Sequence, residues 1–375
     1  MEMEIHHLDQ AARRLLLLAA RGTWDDTQRV RAQQLVTQVR DWDAFCAVEI
    51  RALGVCLAYN LLSTLEGVPA HALERMRQAA RAATMYSLRI EAAQLAFMAD
   101  CLVPLGVRHL FFKGASLAAR YHAASAARPS RDVDVLIDPA MAREVVLLAY
   151  RLGYRPKLEI SGDRELAAWV KRGAVCAMFA PNGVLIEIHQ SLDHGDGVLD
   201  VGRLLARSEI MAFRGRSLSV LRTSDLFVYM CMHNTRHFWS HLHWYADLDA
   251  LTAHPLFDLD EVREVAAGVG LTPTVEACLQ LNGFARSADW PETLSLHGDP
   301  GVALLLRSID CLEGGLAREY ALRSSKLSED RAFAWQSTPG ERAKLFVRRI
   351  RKRCLWAWNG VMRRLRVRPK TPVPK

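Results

Sequence analysis

The sequence lacks the hydrophobic segments that mark membrane-spanning and secreted chains. Its 375 residues contain no uncharged apolar run of about 18 residues, the length that a membrane-spanning helix requires. The N-terminal sequence, MEMEIHHLDQ, is acidic and does not have the basic-then-apolar order of a signal peptide. We therefore expect a cytoplasmic protein without a membrane span.

Cysteine supplies neither a disulfide framework nor a metal-binding motif. The eight cysteines occur singly and without C-x-x-C spacing, and the chain contains no H-E-x-x-H sequence. We therefore expect reduced and mostly buried thiols. The cysteines lie at positions 46, 56, 101, 176, 231, 278, 311 and 354.

Acidic residues are almost missing from the last part of the chain. Residues 341–375 contain thirteen Lys and Arg and one acid, whereas the net charge of the whole chain is only +8. The remaining residues are therefore net acidic, which argues against a nucleic-acid-binding surface outside this segment. Apolar residues make up 50% of the chain and charged residues 24%, as in folded globular proteins.

Hydrophobic periodicity separates a helical part from a part that contains strands. Residues 8–100 carry apolar residues at three- and four-residue spacing, which predicts helices. The sequence VRHLFF at 107–112 predicts a strand that ends in a tight turn at Lys113-Gly114 and leads into a helix. A second strand is expected at 133–137, followed by a helix over 138–152 that begins with Asp-Pro.

Two further apolar runs flank the turn sequence Pro-Asn-Gly. These runs, VCAMFA at 175–180 and VLIEIH at 184–189, predict a β-hairpin, and helical periodicity returns from residue 223. The fold class is therefore α+β, with a small mixed β-sheet core flanked by N- and C-terminal helical regions. The expected regions are an N-terminal helical region at 1–100, the sheet core at 101–200, a C-terminal helical region at 201–340 and a basic amphipathic tail at 341–375.

Three acids and a glycine turn are the candidate functional residues. Side chains alternate along a strand, so Asp132 and Asp134 project from one face, and a pair of divalent cations is one means of neutralising two close carboxylates. The other interpretation of this pair is a solvated strand edge or a turn. Glu187 stands among apolar residues of a later strand, where either a site or a salt bridge to an arginine would compensate its charge. At Gly114 the missing Cβ would let an anion approach the backbone.

This order of motifs resembles the nucleotidyltransferase superfamily of the DNA polymerase β type. The resemblance is closest to a group of uncharacterised bacterial nucleotidyltransferases with a Lys-Gly turn, a Tyr, and then Arg-x-x-x-Asp-x-Asp before two hydrophobic residues. The matching stretch is FFKGASLAARYHAASAARPSRDVDVLID, and weaker similarity covers most of residues 40–255. The turn departs from the usual Gly-Gly or Gly-Ser of the superfamily, because Gly-Ala-Ser stands here.

The resemblance implies transfer of a nucleoside monophosphate from a nucleoside triphosphate (NTP) to an acceptor hydroxyl. Asp132, Asp134 and Glu187 would be catalytic and would bind two Mg²⁺ (or Mn²⁺) ions. The residues implied at the triphosphate are Lys113, Gly114, Ser116 and Arg128. For Arg128 and Arg131 a surface salt bridge is the alternative. The acceptor is open among a small molecule, a peptide, a protein and an RNA. A rival hypothesis is a non-catalytic nucleotide-binding or regulatory module of the same fold.

Three histidines recur at four-residue intervals near the end of the resemblance. His233, His237 and His241 would share one face of a helix predicted near 225–252, with Trp244 close by. Hydrogen-bonded packing, a zinc site and the lining of a nucleotide or acceptor cleft are the three interpretations.

The tail at 341–375 interleaves basic residues with large apolar ones, including two tryptophans. Such a composition is compatible with an amphipathic helix at an anionic membrane surface, with binding to RNA phosphates, or with docking of the apolar face on the protein itself. A membrane-directed tail would place a cytoplasmic protein at the inner membrane surface.

Overall fold

The computed structural model describes residues 6–122, 128–160, 162–192, 198–288, 290, 299–324, 347, 350 and 354. Within these residues, seven strands form one mixed sheet, and helices lie before, between and after the strands. The predicted α+β fold class is confirmed.

Aspartate residues start the first three helices of the N-terminal part. The carboxylates of Asp9, Asp25 and Asp41 each accept a hydrogen bond from a backbone N–H of the following first turn. Apolar residues on the inner faces of these helices then pack into one large core. The helices of this part are α1 Gln10–Ala19, α2 Asp26–Val36, α3 Trp42–Arg51, α4 Val55–Leu62 and α5 Ala70–Phe97.

The sheet has the strand order β3-β4-β5-β2-β1-β7-β6. Its strands are β1 His109–Phe111, β2 Asp132–Ile137, β3 Arg155–Pro156, β4 Val175–Phe179, β5 Leu185–His189, β6 Glu209–Phe213 and β7 Arg216–Val220. The helices that accompany the strands are α6 Gly114–Tyr121, α7 Ala142–Arg151, α8 Asp163–Arg172 and α9 Val201–Ala206. The predicted β4–β5 hairpin is confirmed.

The sheet has two faces of different chemistry. Val133, Val135 and Ile137 pack with residues of α5, α7 and α8 in a second hydrophobic core. The alternate residues of β2 point to the opposite face, where Leu136 joins the core of the helical parts. The acidic residues of β2 therefore face the helices on that side of the sheet.

A second hairpin, β6–β7, extends the sheet beyond the strands predicted from the sequence. β7 pairs with β1 in parallel through Phe111 and Val220, and β6 pairs with β7 in antiparallel fashion. The short sequences EIMAF and RSLSV do not by themselves predict strands, because they lack a sustained apolar alternation.

The predicted single helix near 225–252 is wrong, because the chain breaks between two helices. Phe238 and Trp239 both adopt left-handed backbone conformations (φ +53° and +52°), which end α10 after Arg236. Both aromatic rings are buried, so packing stabilises a conformation that the local sequence disfavours. The helices of this part are α10 Thr223–Arg236, α11 Leu242–Ala253, α12 Leu259–Gly268, α13 Thr272–Ser287 and α14 Pro300–Ser324.

The structure tests the prediction that no helix spans a membrane, but it describes few residues of the tail. No helix in the described part of the chain is long and apolar enough to cross a membrane. Most of the tail lies outside the described residues, so its proposed partners stay predictions, as do the region boundaries at 100, 200 and 340. The described cysteines of the body are all buried and free, whereas Cys354 in the tail is exposed.

A buried acid in α3 should make the stability of the fold depend on pH. Glu49 is fully buried, and neither of its carboxylate oxygens has a hydrogen-bond partner among the described residues. Burial raises the pKa of this carboxyl well above its usual range. Above the unfolded pKa of about 4.3, the folded state therefore binds one more proton than the unfolded state. Stability should then fall by about 1.4 kcal/mol per pH unit until the folded pKa is reached.

We expect Glu49→Gln to remove this pH dependence. Urea unfolding between pH 5 and pH 8 should give a flatter stability profile for the variant than for the wild type, with the variant gaining relative stability as pH rises. Glu264→Gln, which changes an exposed carboxylate on α12, is the matched control and should leave the slope unchanged. Parallel profiles for Glu49→Gln and wild type would contradict the prediction.

Candidate functional site

Two neighbouring strands bring acidic side chains together on one face of the sheet. Along β2, Asp132 and Asp134 alternate with Val133 and Val135, and the valines pack into the core on the other face. β2 pairs with β5 in parallel, and this register sets Asp134 opposite Glu187. The predicted orientation of the two aspartates is therefore confirmed, and the third acid lies beside them.

Asp134 is the centre of a buried network of charged groups. Its Oδ1 atom accepts from Lys113 Nζ at 3.0 Å and lies 2.9 Å from His189 Nε2. The same His189 nitrogen lies 3.7 Å from Oε2 of Glu187, whose side chain is 28% exposed. Among the described residues no arginine pairs with Glu187, so the salt-bridge alternative is replaced by this contact with a histidine.

Three side chains of this network have the geometry to hold a metal ion. Asp134, Glu187 and His189 each offer one ligand atom, and these atoms lie within 4.8 Å of one another. Carboxylate oxygens suit Mg²⁺ and Mn²⁺, and an imidazole nitrogen suits Mn²⁺ better than Mg²⁺. Asp132 is outside this group, so its role as a metal ligand stays a prediction.

The two aspartates have opposite electrostatic environments although they share one face of one strand. Burial and the charge of Asp134 raise the pKa of Asp132. Burial also opposes ionisation of Asp134, but Lys113 and His189 outweigh it and lower the pKa of that carboxyl. Asp134 is therefore the carboxylate that the protein stabilises by itself, whereas Asp132 is destabilised as an anion and would gain from a cation.

The glycine turn lies against the acidic strand. Gly114 begins α6 with a φ of +61°, and a Cβ there would come within 3.1 Å of Ser130 Oγ and 3.3 Å of the Asp132 carbonyl oxygen. Only glycine fits both the backbone conformation and the space. The buried hydroxyl of Ser116 donates to the Lys113 carbonyl oxygen at 2.9 Å. The Ser116 hydroxyl, which was predicted to contact the triphosphate, therefore stabilises the turn instead.

Arg128 forms a buried ion pair and not a surface one. Its Nε and Nη2 atoms donate to the two carboxylate oxygens of Asp247 at 2.9 and 2.7 Å, and His122 Nε2 lies 2.9 Å from the same carboxylate. The salt-bridge alternative for Arg128 is therefore correct in kind, but the pair is buried and not at the surface. Arg131 is exposed and donates to the Arg51 carbonyl oxygen at 3.2 Å.

A row of aromatic and histidine side chains on α10 and just after its C-terminus leads away from the acids. The Tyr229 hydroxyl interacts with Lys113 and lies 3.2 Å from His233 Nδ1. The His233 ring lies 4.7 Å from the His237 ring, and His237 Nδ1 is 2.8 Å from a carboxylate oxygen of Glu319 on α14. The row thus connects the charged network to the last described helix.

The three predicted histidines do not share one helix face, but each contacts Trp244. Their rings lie 5.9, 5.9 and 4.7 Å from the indole for His233, His237 and His241, and the last pair is stacked. Among the described residues, the group with metal-ligand geometry is the acidic network and not this row. Packing is therefore the interpretation that the contacts support, and a role in lining a cleft stays a prediction.

Two residues of the charged network, His189 and Tyr229, were not among the residues predicted from the sequence. His189 follows Glu187 by two positions on β5, so strand alternation alone sets both on one face. This signal was present in the sequence IEIH. Tyr229 lies on a helix that approaches the sheet from a distant part of the chain, and no local pattern indicated this contact.

A protein-family model described as "uncharacterised nucleotidyltransferase" matches residues 38–283, which is more than half of the chain. The match begins before α3, ends within α13, and contains the glycine turn and all three acids. A search of curated proteins found no match.

Proposed function

The chain belongs to the family of uncharacterised nucleotidyltransferases, and on this basis we propose that it transfers a nucleoside monophosphate from an NTP to an acceptor hydroxyl. Pyrophosphate is the leaving group. In this proposal Asp132, Asp134 and Glu187 hold the divalent ions, Mg²⁺ or Mn²⁺, that the reaction requires.

One observation carries the proposal. The parallel pairing of β2 with β5 sets Asp134 beside Glu187, while Gly114 packs against the Asp132 backbone. An acidic cluster and a glycine turn at a helix N-terminus are thus neighbours. Such neighbours suit a substrate that carries both a metal and a phosphate chain.

The donor set fits a divalent ion. Asp134 and Glu187 supply oxygens and His189 supplies a nitrogen within 4.8 Å of each other, and Asp132 lies on the same face. A bound divalent ion would neutralise phosphate charge and favour ionisation of the acceptor hydroxyl. The chain itself orients the carboxylates, because the parallel pairing of β2 with β5 fixes the positions of both strands.

The turn at the start of α6 is the proposed triphosphate position. Gly114 leaves the backbone open to an anion, and the helix N-terminus directs N–H groups toward it. The side-chain hydroxyl of Ser116 and the guanidinium of Arg128 already have internal partners. We therefore assign the phosphate contacts mainly to the backbone at Gly114 and to Lys113.

We also propose that the chain belongs with the DNA polymerase β-type superfamily and its uncharacterised bacterial group. The support is the order of motifs, from the Lys-Gly turn through Asp-x-Asp on β2 to the acid on β5. The nature of the acceptor stays open among the four classes given by the sequence analysis.

Incubation with each of the four labelled NTPs, in the presence of Mg²⁺ or Mn²⁺ and a host extract, tests the proposal. Metal-dependent release of pyrophosphate and transfer of label to an extract component are the expected results. A non-catalytic module would bind an NTP and release no pyrophosphate with any acceptor fraction. That outcome would replace the transfer hypothesis by the binding one.

Glu187→Gln should lower turnover more than it lowers NTP affinity. Glu187 is the most exposed acid of the metal-binding group, and its proposed ion serves the acceptor hydroxyl more than the triphosphate. We expect kcat to fall by about 10²-fold or more with a small change in nucleotide Kd. The matched control is Glu159→Gln at an exposed position outside the site. Unchanged kcat together with a lowered melting temperature would assign Glu187 a structural role instead.

A further inference from the structure

The acidic site contains a cation of its own, the ammonium group of Lys113. Its Nζ lies 3.0 Å from Oδ1 of Asp134, and the two side chains are only 15% and 2% exposed. His189 contacts the same Oδ1 atom. One oxygen of a candidate metal ligand therefore already contacts an ammonium group and an imidazole nitrogen.

A divalent ion bound to the Asp134 carboxylate and this ammonium would lie close together and repel each other. Like charges at ion-pair distance repel strongly where the surroundings exclude water. The His189 ring is carried by a central strand and packs edge-on against Phe112 at 5.1 Å, so it has little freedom to leave. Lys113, in contrast, has a flexible four-carbon stem and rotatable donors. Of the two groups that contact Oδ1, Lys113 is therefore the one that can move away when an ion binds to Asp134.

The proposed triphosphate would give Lys113 a second anion with which to pair. Lys113 directly precedes Gly114, where α6 begins and where the triphosphate is proposed to bind. Its ammonium also interacts with the Tyr229 hydroxyl, which lies on the helix facing the sheet. Lys113 therefore contacts an acid of the site and is adjacent in sequence to the proposed phosphate position.

We propose that Lys113 is an exchangeable counter-ion: it neutralises Asp134 in the metal-free protein, yields that oxygen to the incoming divalent ion, and then pairs with the triphosphate. This inference rests on the proposed function. In this exchange, the metal ion displaces Lys113 from Asp134, and the triphosphate attracts Lys113 away from Asp134. The affinities for metal and nucleotide are therefore interdependent.

Binding of Mn²⁺ to the full chain in the absence of nucleotide tests this role without using activity. Lys113→Gln removes the competing charge, so it should bind Mn²⁺ about tenfold more tightly than the wild type. Metal-free binding of a fluorescent NTP should become about tenfold weaker in the same variant. Lys113→Arg, which keeps the charge, should not gain Mn²⁺ affinity. Lys157→Gln, at an exposed lysine, is the control for a general charge effect.

Equal or weaker Mn²⁺ binding by Lys113→Gln, or no Mn²⁺ binding by either protein, would overturn the exchange. Mn²⁺ binding by the variant alone would support it. If Lys113→Gln does not fold, Lys113→Met provides the same comparison with an apolar chain of similar length. Failure of the proposed function is a separate result, namely Mn²⁺ binding by the wild type without pyrophosphate release from any of the four NTPs.

Discussion

Asp132→Asn should abolish nucleotide transfer and leave the folded protein intact or slightly more stable. The anionic form of Asp132 is disfavoured by burial and by the neighbouring Asp134, so removing its charge relieves repulsion in the metal-free site. In the loaded site the same change removes a proposed metal ligand. We expect kcat to fall by at least about 10³-fold, which corresponds to the several kcal/mol that a metal site contributes to a transition state.

Pyrophosphate release and a thermal melt without metal are the two measurements for Asp132→Asn. Asp163→Asn, an exposed aspartate on α8, is the matched control and should keep full activity. Comparable activity of Asp132→Asn and wild type would remove Asp132 from the site. A large loss of stability without metal would contradict the electrostatic argument.

Breaking the buried pair between Arg128 and Asp247 should produce the largest loss of stability. Both side chains are almost completely buried, and two hydrogen bonds of 2.7 and 2.9 Å join them. Arg128→Met leaves the Asp247 carboxylate buried with only His122 as a partner. We expect the free energy of unfolding to fall by about 3–5 kcal/mol, as for other buried ion pairs that lose one member.

A double variant distinguishes the loss of a partner from the loss of packing. Arg128→Met combined with Asp247→Leu removes both charges, so it should be more stable than Arg128→Met alone. Urea unfolding of the wild type, both single variants and the double variant gives the coupling free energy. A double variant as unstable as the sum of the single variants would show that the two residues act independently.

The candidate site could be predicted from the sequence where it depends on strand alternation. Asp132 and Asp134 are two residues apart, and alternation alone sets them on one face. Their unlike environments could not be predicted, because of the two aspartates it is Asp134 that Lys113 and His189 contact directly. That difference depends on the order of strands in the sheet, which brings β1 and β5 to opposite sides of β2.

The arrangement of the three histidines, in contrast, could not be predicted from the sequence. Four-residue spacing predicted one continuous helix face, but Phe238 and Trp239 take left-handed conformations that bulky residues rarely adopt. Trp239 is completely buried, and its indole donates to Thr235 Oγ1 at 3.3 Å. Tertiary packing thus determines the break, and periodicity cannot detect it.

The parallel pairing of β7 with β1 affects how the protein acquires its site during synthesis. β1 ends next to the Lys113-Gly114 turn, and its outer neighbour is supplied only by residues 216–220. Until the ribosome has released those residues, β1 is an edge strand with unpaired backbone groups, which is a template for intermolecular pairing. A nascent chain that already contains every acid of the site would therefore still have an incomplete sheet. The sheet would be completed only by the β6–β7 hairpin, which contributes no acid to the site.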